Sequence, residues 1–181
     1  MKKVITLDSE ALQGVCRRLE AERIRPFEPD VVLGIESGGR FVADMLFPER
    51  THCYVALRRP STRRKSGVVK RLLRRLPRFV ADTLRVAESY FLERHAAAPV
   101  PFTGELPAEL AGAASILVAD DAVDSGNTML SVVEAVKNNY PEARVATAAV
   151  VVTTRAPKIR PDFYMFDNLL IRFPWSADVK K

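Results

Sequence analysis

Residues 116–130 read ILVADDAVDSGNTML, and this run constrains the fold more than any other part of the chain. Apolar residues stop at two adjacent acids. A third acid follows, and small polar residues then open a second apolar stretch. A short apolar run bounded by polar residues suits a strand buried on both faces. Ser125-Gly126-Asn127-Thr128 suits a turn that starts a helix. Leu130, Val133, Val136 and Lys137 lie on the helix expected over about 128–139. The strand is expected over 115–119, ending at Asp120 and Asp121.

The same alternation recurs along the chain. Ser9 is a suitable cap for a helix to about residue 23, with Leu12, Val15, Cys16 and Leu19 at helical spacing. Val31-Val32-Leu33-Gly34-Ile35 reads as a buried strand. Gly38-Gly39 break it, and Phe41, Val42, Met45 and Leu46 suggest a helix. Further strands are expected over 52–57, 146–152, 164–165 and 169–173. Strands alternating with helices predict an α/β fold, with a mainly parallel sheet flanked by helices. No repeat or linker divides the 181 residues, so a single domain over 1–181 is expected.

Charge is concentrated in one segment. The chain has 28 Lys+Arg and 22 Asp+Glu, a formal +6. Positions 50–81 hold 11 basic residues, and no acid lies between Glu49 and Asp82, which leaves −5 for the remainder. Residues 58–67 read as a loop, and 68–76 and 79–93 as two helices parted at Pro77. A basic helical insertion over 58–98 therefore interrupts the alternation. It suits a lid that meets an anion, or a cationic face for nucleic acid or an anionic membrane. No aromatic residue lies between Arg58 and Arg78, which argues against a base-stacking platform there.

Other classes are disfavoured. Cys16 and Cys53 form no CxxC, and His52 and His95 form no ligand cluster, so neither a disulfide scaffold nor a zinc site is expected. The N-terminal apolar stretch is too short for a signal peptide, and no run approaches the ~20 residues of a membrane span. A soluble, reduced, cytoplasmic setting is the expectation.

The acids and the turn have a shared chemical use. In open α/β sheets ligands bind beyond the carboxyl ends of the strands. Asp120 and Asp121 suit a vicinal diol or a Mg²⁺ shell. The turn at Ser125, Gly126, Asn127 and Thr128 suits a phosphate monoester. Asp124 lies between these two features.

This run closely resembles the phosphoribosyl-pyrophosphate signature of type I phosphoribosyltransferases. Residues 32–44, LGIESGGRFVAD at their core, resemble the pyrophosphate loop and following helix of the hypoxanthine-guanine and xanthine enzymes. Pro161-Asp162-Phe163-Tyr164 and Ile171-Arg172-Phe173-Pro174-Trp175 resemble the C-terminal part of that purine branch. The matching blocks cover most of residues 28–57 and 115–176.

The resemblance implies a type I phosphoribosyltransferase-like fold with a helical insertion (about 68–95) and a C-terminal hood-like segment. It implies Mg²⁺-dependent transfer of phosphoribose from phosphoribosyl pyrophosphate to a nucleobase, a purine or purine-like ring. Asp120 and Asp121 would hold the ribose hydroxyls with Mg²⁺ nearby. Ser125, Gly126, Asn127 and Thr128 would bind the 5′-phosphate, and Asp124 would act in proton transfer. Ser37, Gly38, Gly39 and Arg40 would meet the pyrophosphate, and the basic loop would close over it. A homodimer is expected by analogy.

Three positions depart from the purine pattern. Thr153-Thr154-Arg155 stand where a base-reading lysine is usual. Leu170 aligns with the stacking aromatic, leaving Phe166, Phe173 and Trp175 as aromatic candidates. Ser37 replaces a basic residue. With the basic segment, these departures motivate an alternative: a non-catalytic phosphoribosyl-pyrophosphate or nucleotide sensor whose arm binds nucleic acid or another anion.

Overall fold

The computed structural model describes residues 2–57, Val86 and 102–176. The basic insertion expected over 58–98 lies outside the described residues except for Val86, which is buried.

Strands β2 (Val31–Ile35), β3 (Thr51–Val55), β4 (Ser115–Val123), β5 (Arg144–Val152) and β6 (Phe163–Asp167) form a five-stranded sheet in the order β3-β2-β4-β5-β6. Every pairing in it is parallel. Every residue of β2 is buried, as are Ser115–Ala119 and most of β5. That is why these strands read as unbroken apolar runs.

Helices cover both faces. Helix α1 (Ser9–Leu19) contributes Leu12, Cys16 and Leu19 to one core, where α2 (Gly38–Leu46) adds Val42, Ala43 and Leu46 against Val32, Leu117 and Ala119. Helix α3 (Asn127–Asn139) packs Met129, Val132, Val133 and Val136 against Leu33, Ile116 and Val118 on the other face. Burial pushes the Cys16 and Cys53 thiols up to about 12, so both stay protonated in these cores.

Two carboxylates set the strand entries. Asp30 Oδ2 accepts from the Ala114 and Ser115 amides, each at 2.9 Å, and ties the start of β2 to β4. Asp162 Oδ2 accepts from the Thr147 amide and hydroxyl, each at 2.8 Å, and seats β6 on β5.

Several expected boundaries shift. Asp8, rather than Ser9, caps α1, its side chain accepting from the Ala11 amide at 2.8 Å. A π-helical turn, Glu20–Ile24, carries the chain on from Leu19. Strand β1 (Val4–Thr6) was not expected. It pairs in parallel with β7 (Leu170–Arg172) as a separate two-stranded sheet, so the two ends of the described chain meet. Strand β4 does not stop at the acids but runs through them to Val123.

This overrun positions the site. β2 pairs with β4 only as far as Ala119, whereas β5 stays paired to Val123. Asp120 and Asp121 therefore emerge where one neighbouring strand has ended and the other continues. From β2 the chain leads by α2 to β3 on one side, and from β4 by α3 to β5 on the other. The gap between β2 and β4 is the topological switch point, where a crevice opens.

Leu117 is fully buried at the centre of this sheet. Leu117→Ala is expected to lower unfolding free energy by about 3 kcal/mol, as read by urea denaturation.

Candidate active site

Asp120 and Asp121 are half-buried at the end of β4 and face α2. Their main-chain partners are local: Asp120 Oδ1 accepts from the Asp121 amide at 2.8 Å, and Asp121 Oδ1 from the Ala122 amide at 3.0 Å. Neither acid has an ion pair with another described residue. Burial pushes the Asp120 carboxyl well above the usual range, and repulsion from Asp121 adds to this. Burial also raises Asp121, against hydrogen bonds from Trp175 and Asp120 that favour its charged form. The two carboxyls titrate as a unit.

The first turn of α2 lies against the pair. A Cβ placed on Gly38 would stand 1.9 Å from Asp121 Oδ2, and one on Gly39 would stand 2.6 Å from the Ala119 carbonyl oxygen. No side chain fits at either position. The expected role of these glycines was to present amides to an anion. The structure adds a requirement that the loop pattern did not reveal: both let α2 reach β4. The helix start leaves its first amides without intrahelical partners. Ser37 is exposed at the N-cap and makes no side-chain capping bond. Arg40 is exposed, with its guanidinium 4.6 Å from the centre of the Tyr54 ring on β3, and the Tyr54 hydroxyl donates to Asp44.

The second helix start follows β4. Gly126 caps α3 with φ of 79°, and a Cβ there would stand 2.8 Å from the Ile159 amide nitrogen and carbonyl oxygen. Both facts require glycine. Lys158 donates its amide to the Ser125 carbonyl at 2.8 Å, so the segment after β5 braces this turn. Asn127 and Thr128 form the first turn of α3.

Asp124 is exposed between the two helix starts. The Thr153 hydroxyl donates to its carboxylate, and the Thr154 hydroxyl donates to its carbonyl oxygen at 2.9 Å. Both threonines are buried at the end of β5. Sequence reasoning noted them only as the absence of a lysine. Their adjacency at a strand end facing an acidic turn was the available signal.

Trp175 was also underread. Its Nε1 donates to Asp121 Oδ2 at 2.9 Å, which brings the C-terminal segment onto the acid pair. Phe166 is half-buried on β6, and Leu170 is buried on β7.

The end of β4 and the turn after it thus carry three acids, Asp120, Asp121 and Asp124, with the start of α2 against the first two and the start of α3 following the third. The phosphoribosyl transferase domain family matches residues 6–181. The chain belongs to this family. No curated protein matches it in sequence. Among solved structures, this phosphoribosyltransferase is similar to the purine phosphoribosyltransferase of Pyrococcus horikoshii, with 19% identity, a TM-score of 0.61, and 96% of this chain and 93% of that one covered. It is similar to the xanthine-guanine-hypoxanthine phosphoribosyltransferase of Helicobacter pylori, with 14% identity, a TM-score of 0.62, and 97% and 93% covered. A Neisseria gonorrhoeae protein with bound ppGpp shares 19% identity, with a TM-score of 0.60 and 97% and 90% covered. The type I phosphoribosyltransferase fold expected from the motifs is therefore the fold observed. Among the described residues, no helix is long and apolar enough to cross a membrane.

Gly39→Ala is expected to destabilise the phosphoribosyltransferase by about 1–3 kcal/mol, because the new methyl meets backbone. Gly14→Ala, in the open middle of α1, is expected to stabilise it by up to about 1 kcal/mol. Paired chemical denaturation of the two variants checks both signs.

Proposed function

We propose that this phosphoribosyltransferase moves phosphoribose from phosphoribosyl pyrophosphate to a purine or purine-like base, with Mg²⁺, and releases pyrophosphate. The observation that carries the reading is the acid pair at the switch point, flanked by two helix starts that close approach restricts to glycine. The purine motifs in the sequence support the choice of base.

Each residue has a task in this reaction. Asp120 and Asp121 accept hydrogen bonds from the ribose 2′- and 3′-hydroxyls. The amides and hydroxyls of Ser125, Gly126, Asn127 and Thr128 hold the 5′-phosphate at the start of α3. Ser37, Gly38 and Gly39 turn the amides of α2 toward the pyrophosphate, and Arg40 adds positive charge on that side. The bond from C1 of the ribose to the pyrophosphate oxygen breaks, and the oxygen keeps the electron pair. A base nitrogen supplies the pair for the new bond to C1. The proton lost from the base passes to the Asp124 carboxylate, which Thr153 holds in place. Fixing both substrates about one ribose carbon supplies much of the acceleration.

The acid pair also fits a divalent cation. Two adjacent carboxyls raised by burial are oxygen donors whose charged forms a cation would favour. Mg²⁺ is commonly held by one or two carboxylates and otherwise keeps water and substrate phosphate. Asp120 and Asp121 would hold it, and when bound it supplies neutralisation of the departing pyrophosphate.

A second reading rests on Thr153 and Thr154, which stand where a base-reading lysine is usual. In it the chain senses phosphoribosyl pyrophosphate or a nucleotide without turnover, and the ppGpp bound to the Neisseria protein of the same fold is in keeping with it. Purified protein given phosphoribosyl pyrophosphate, Mg²⁺ and hypoxanthine, guanine, xanthine or adenine is expected to release pyrophosphate with at least one base. Saturable binding with no release from any base would favour the sensor.

The double variant Asp120→Asn, Asp121→Asn is expected to weaken phosphoribosyl-pyrophosphate binding about 100-fold or more by calorimetry. Its stability should change in a defined direction. The folded pair holds its protons to higher pH than the unfolded chain does. The pair's contribution to stability thus declines as pH rises from about 4 toward the raised values. Thermal unfolding between pH 4 and pH 7 is expected to show a smaller decline in the double variant than in the wild type. At pH 7 the variant should be no less stable.

A further inference from the structure

Asp121 is fixed by a residue 54 positions further along the chain. The oxygen that accepts the Trp175 indole proton at 2.9 Å is also the one facing Gly38, where a Cβ would stand 1.9 Å away. The indole is itself held between two rings. Phe173 stacks on it with centroids 5.1 Å apart and planes at 2°, and Phe41 with centroids 4.8 Å apart and planes at 21°. Phe41 belongs to α2, the helix that Gly38 and Gly39 open. One aromatic stack therefore joins α2, the segment after β7 and the acid pair. Stacking fixes the plane of the indole, and the hydrogen bond fixes its rotation within that plane.

We propose that Trp175 is a positioning residue of the ribose site: its indole N–H holds the Asp121 carboxylate in the orientation that accepts the sugar diol, while Phe41 and Phe173 hold the indole. This rests on the phosphoribosyl-transfer reading above.

The chemistry follows from what an indole can do. It donates and does not accept, so it serves only an acceptor oxygen. The indole on Oδ2 and the Ala122 amide on Oδ1 together fix the rotation of the Asp121 carboxylate and leave its remaining lone pairs for the ribose. Without the indole proton, the carboxylate is held through Oδ1 alone.

Trp175 is the chain's one tryptophan, so intrinsic tryptophan fluorescence reports this contact alone. Asp121→Asn is expected to shift the emission of the ligand-free protein. Phosphoribosyl pyrophosphate with Mg²⁺ is expected to shift that of the wild type, with the midpoint found by calorimetry. Trp175→Phe keeps a ring in the stack and deletes the donor. Its KM for phosphoribosyl pyrophosphate is expected to rise about tenfold, with a smaller change in kcat. A residue that only filled space would not raise KM selectively over kcat. Unchanged KM in Trp175→Phe would overturn the proposal and leave phosphoribosyl transfer standing. If the wild type fails to bind phosphoribosyl pyrophosphate, the reading falls and the proposal with it. Should Trp175→Phe not fold, the Asp121→Asn spectrum decides, and identity with the wild type refutes the contact.

Discussion

The close approach of α2 to the end of β4 is the constraint on which the rest of this molecule depends. A helix start can lie against a strand at backbone distance only where side chains are absent, and Gly38 and Gly39 meet that condition. The consequence is electrostatic as well as steric. The approach desolvates Asp120 and Asp121, which raises both carboxyls. In the proposed function, this pair would take up a hydroxyl or a cation. The topology makes room for this, because β2 ends where β4 continues along β5.

The crevice divides charge between its walls. The acids stand on the sheet, and the two helix N-termini stand beyond it. The proposed substrate, a sugar carrying phosphate at one end and pyrophosphate at the other, would match that division, hydroxyls toward carboxylates and phosphoryl groups toward amides. Each helix start depends on glycine against backbone: Gly39 against Ala119, and Gly126 against Ile159. In the proposed function, the anion sites and the packing are therefore one feature, and a change at these glycines would act on binding and stability together.

Much of this was legible in the sequence. Strands β2 and β5 are buried on both faces, so they read as plain apolar runs, and the acidic signature marked the place where β4 outruns its pairing with β2. The failures have local causes. Asp8 and Ser9 are both good caps, and only the hydrogen bond to Ala11 selects Asp8. Strand β4 seemed to stop at Asp120 because acids disfavour strands, yet its ladder with β5 carries it to Val123. The three residues of β1 are too few for a periodic signal, and their partner, β7, lies at the other end of the chain. The glycines were read by their amides because an anion loop is a local pattern, whereas contact with β4 is not. The Trp175–Asp121 bond has no local signature at all.

Thr153 and Thr154 show how a departure from a family pattern can be a positive device. Where similar purine enzymes carry a lysine, both hydroxyls here donate to Asp124, one to its carboxylate and one to its carbonyl oxygen. The strand end thus orients an acid and supplies no ammonium to an incoming ring. The segment that follows is also held. The Arg160 guanidinium donates to the Arg155 carbonyl at 2.8 Å and to Asp167 at 3.1 Å, and it reaches the Tyr164 hydroxyl at 3.4 Å. Lys158 and Ile159, between these anchors, brace the turn at Ser125 and Gly126. One bonded unit therefore joins Asp124, the turn at Ser125 and Gly126, and the segment leading into β6. In the proposed reaction, the ring would be placed by where its proton meets the Asp124 carboxylate, and discrimination among bases would fall to neutral donors, acceptors and shape around that acid.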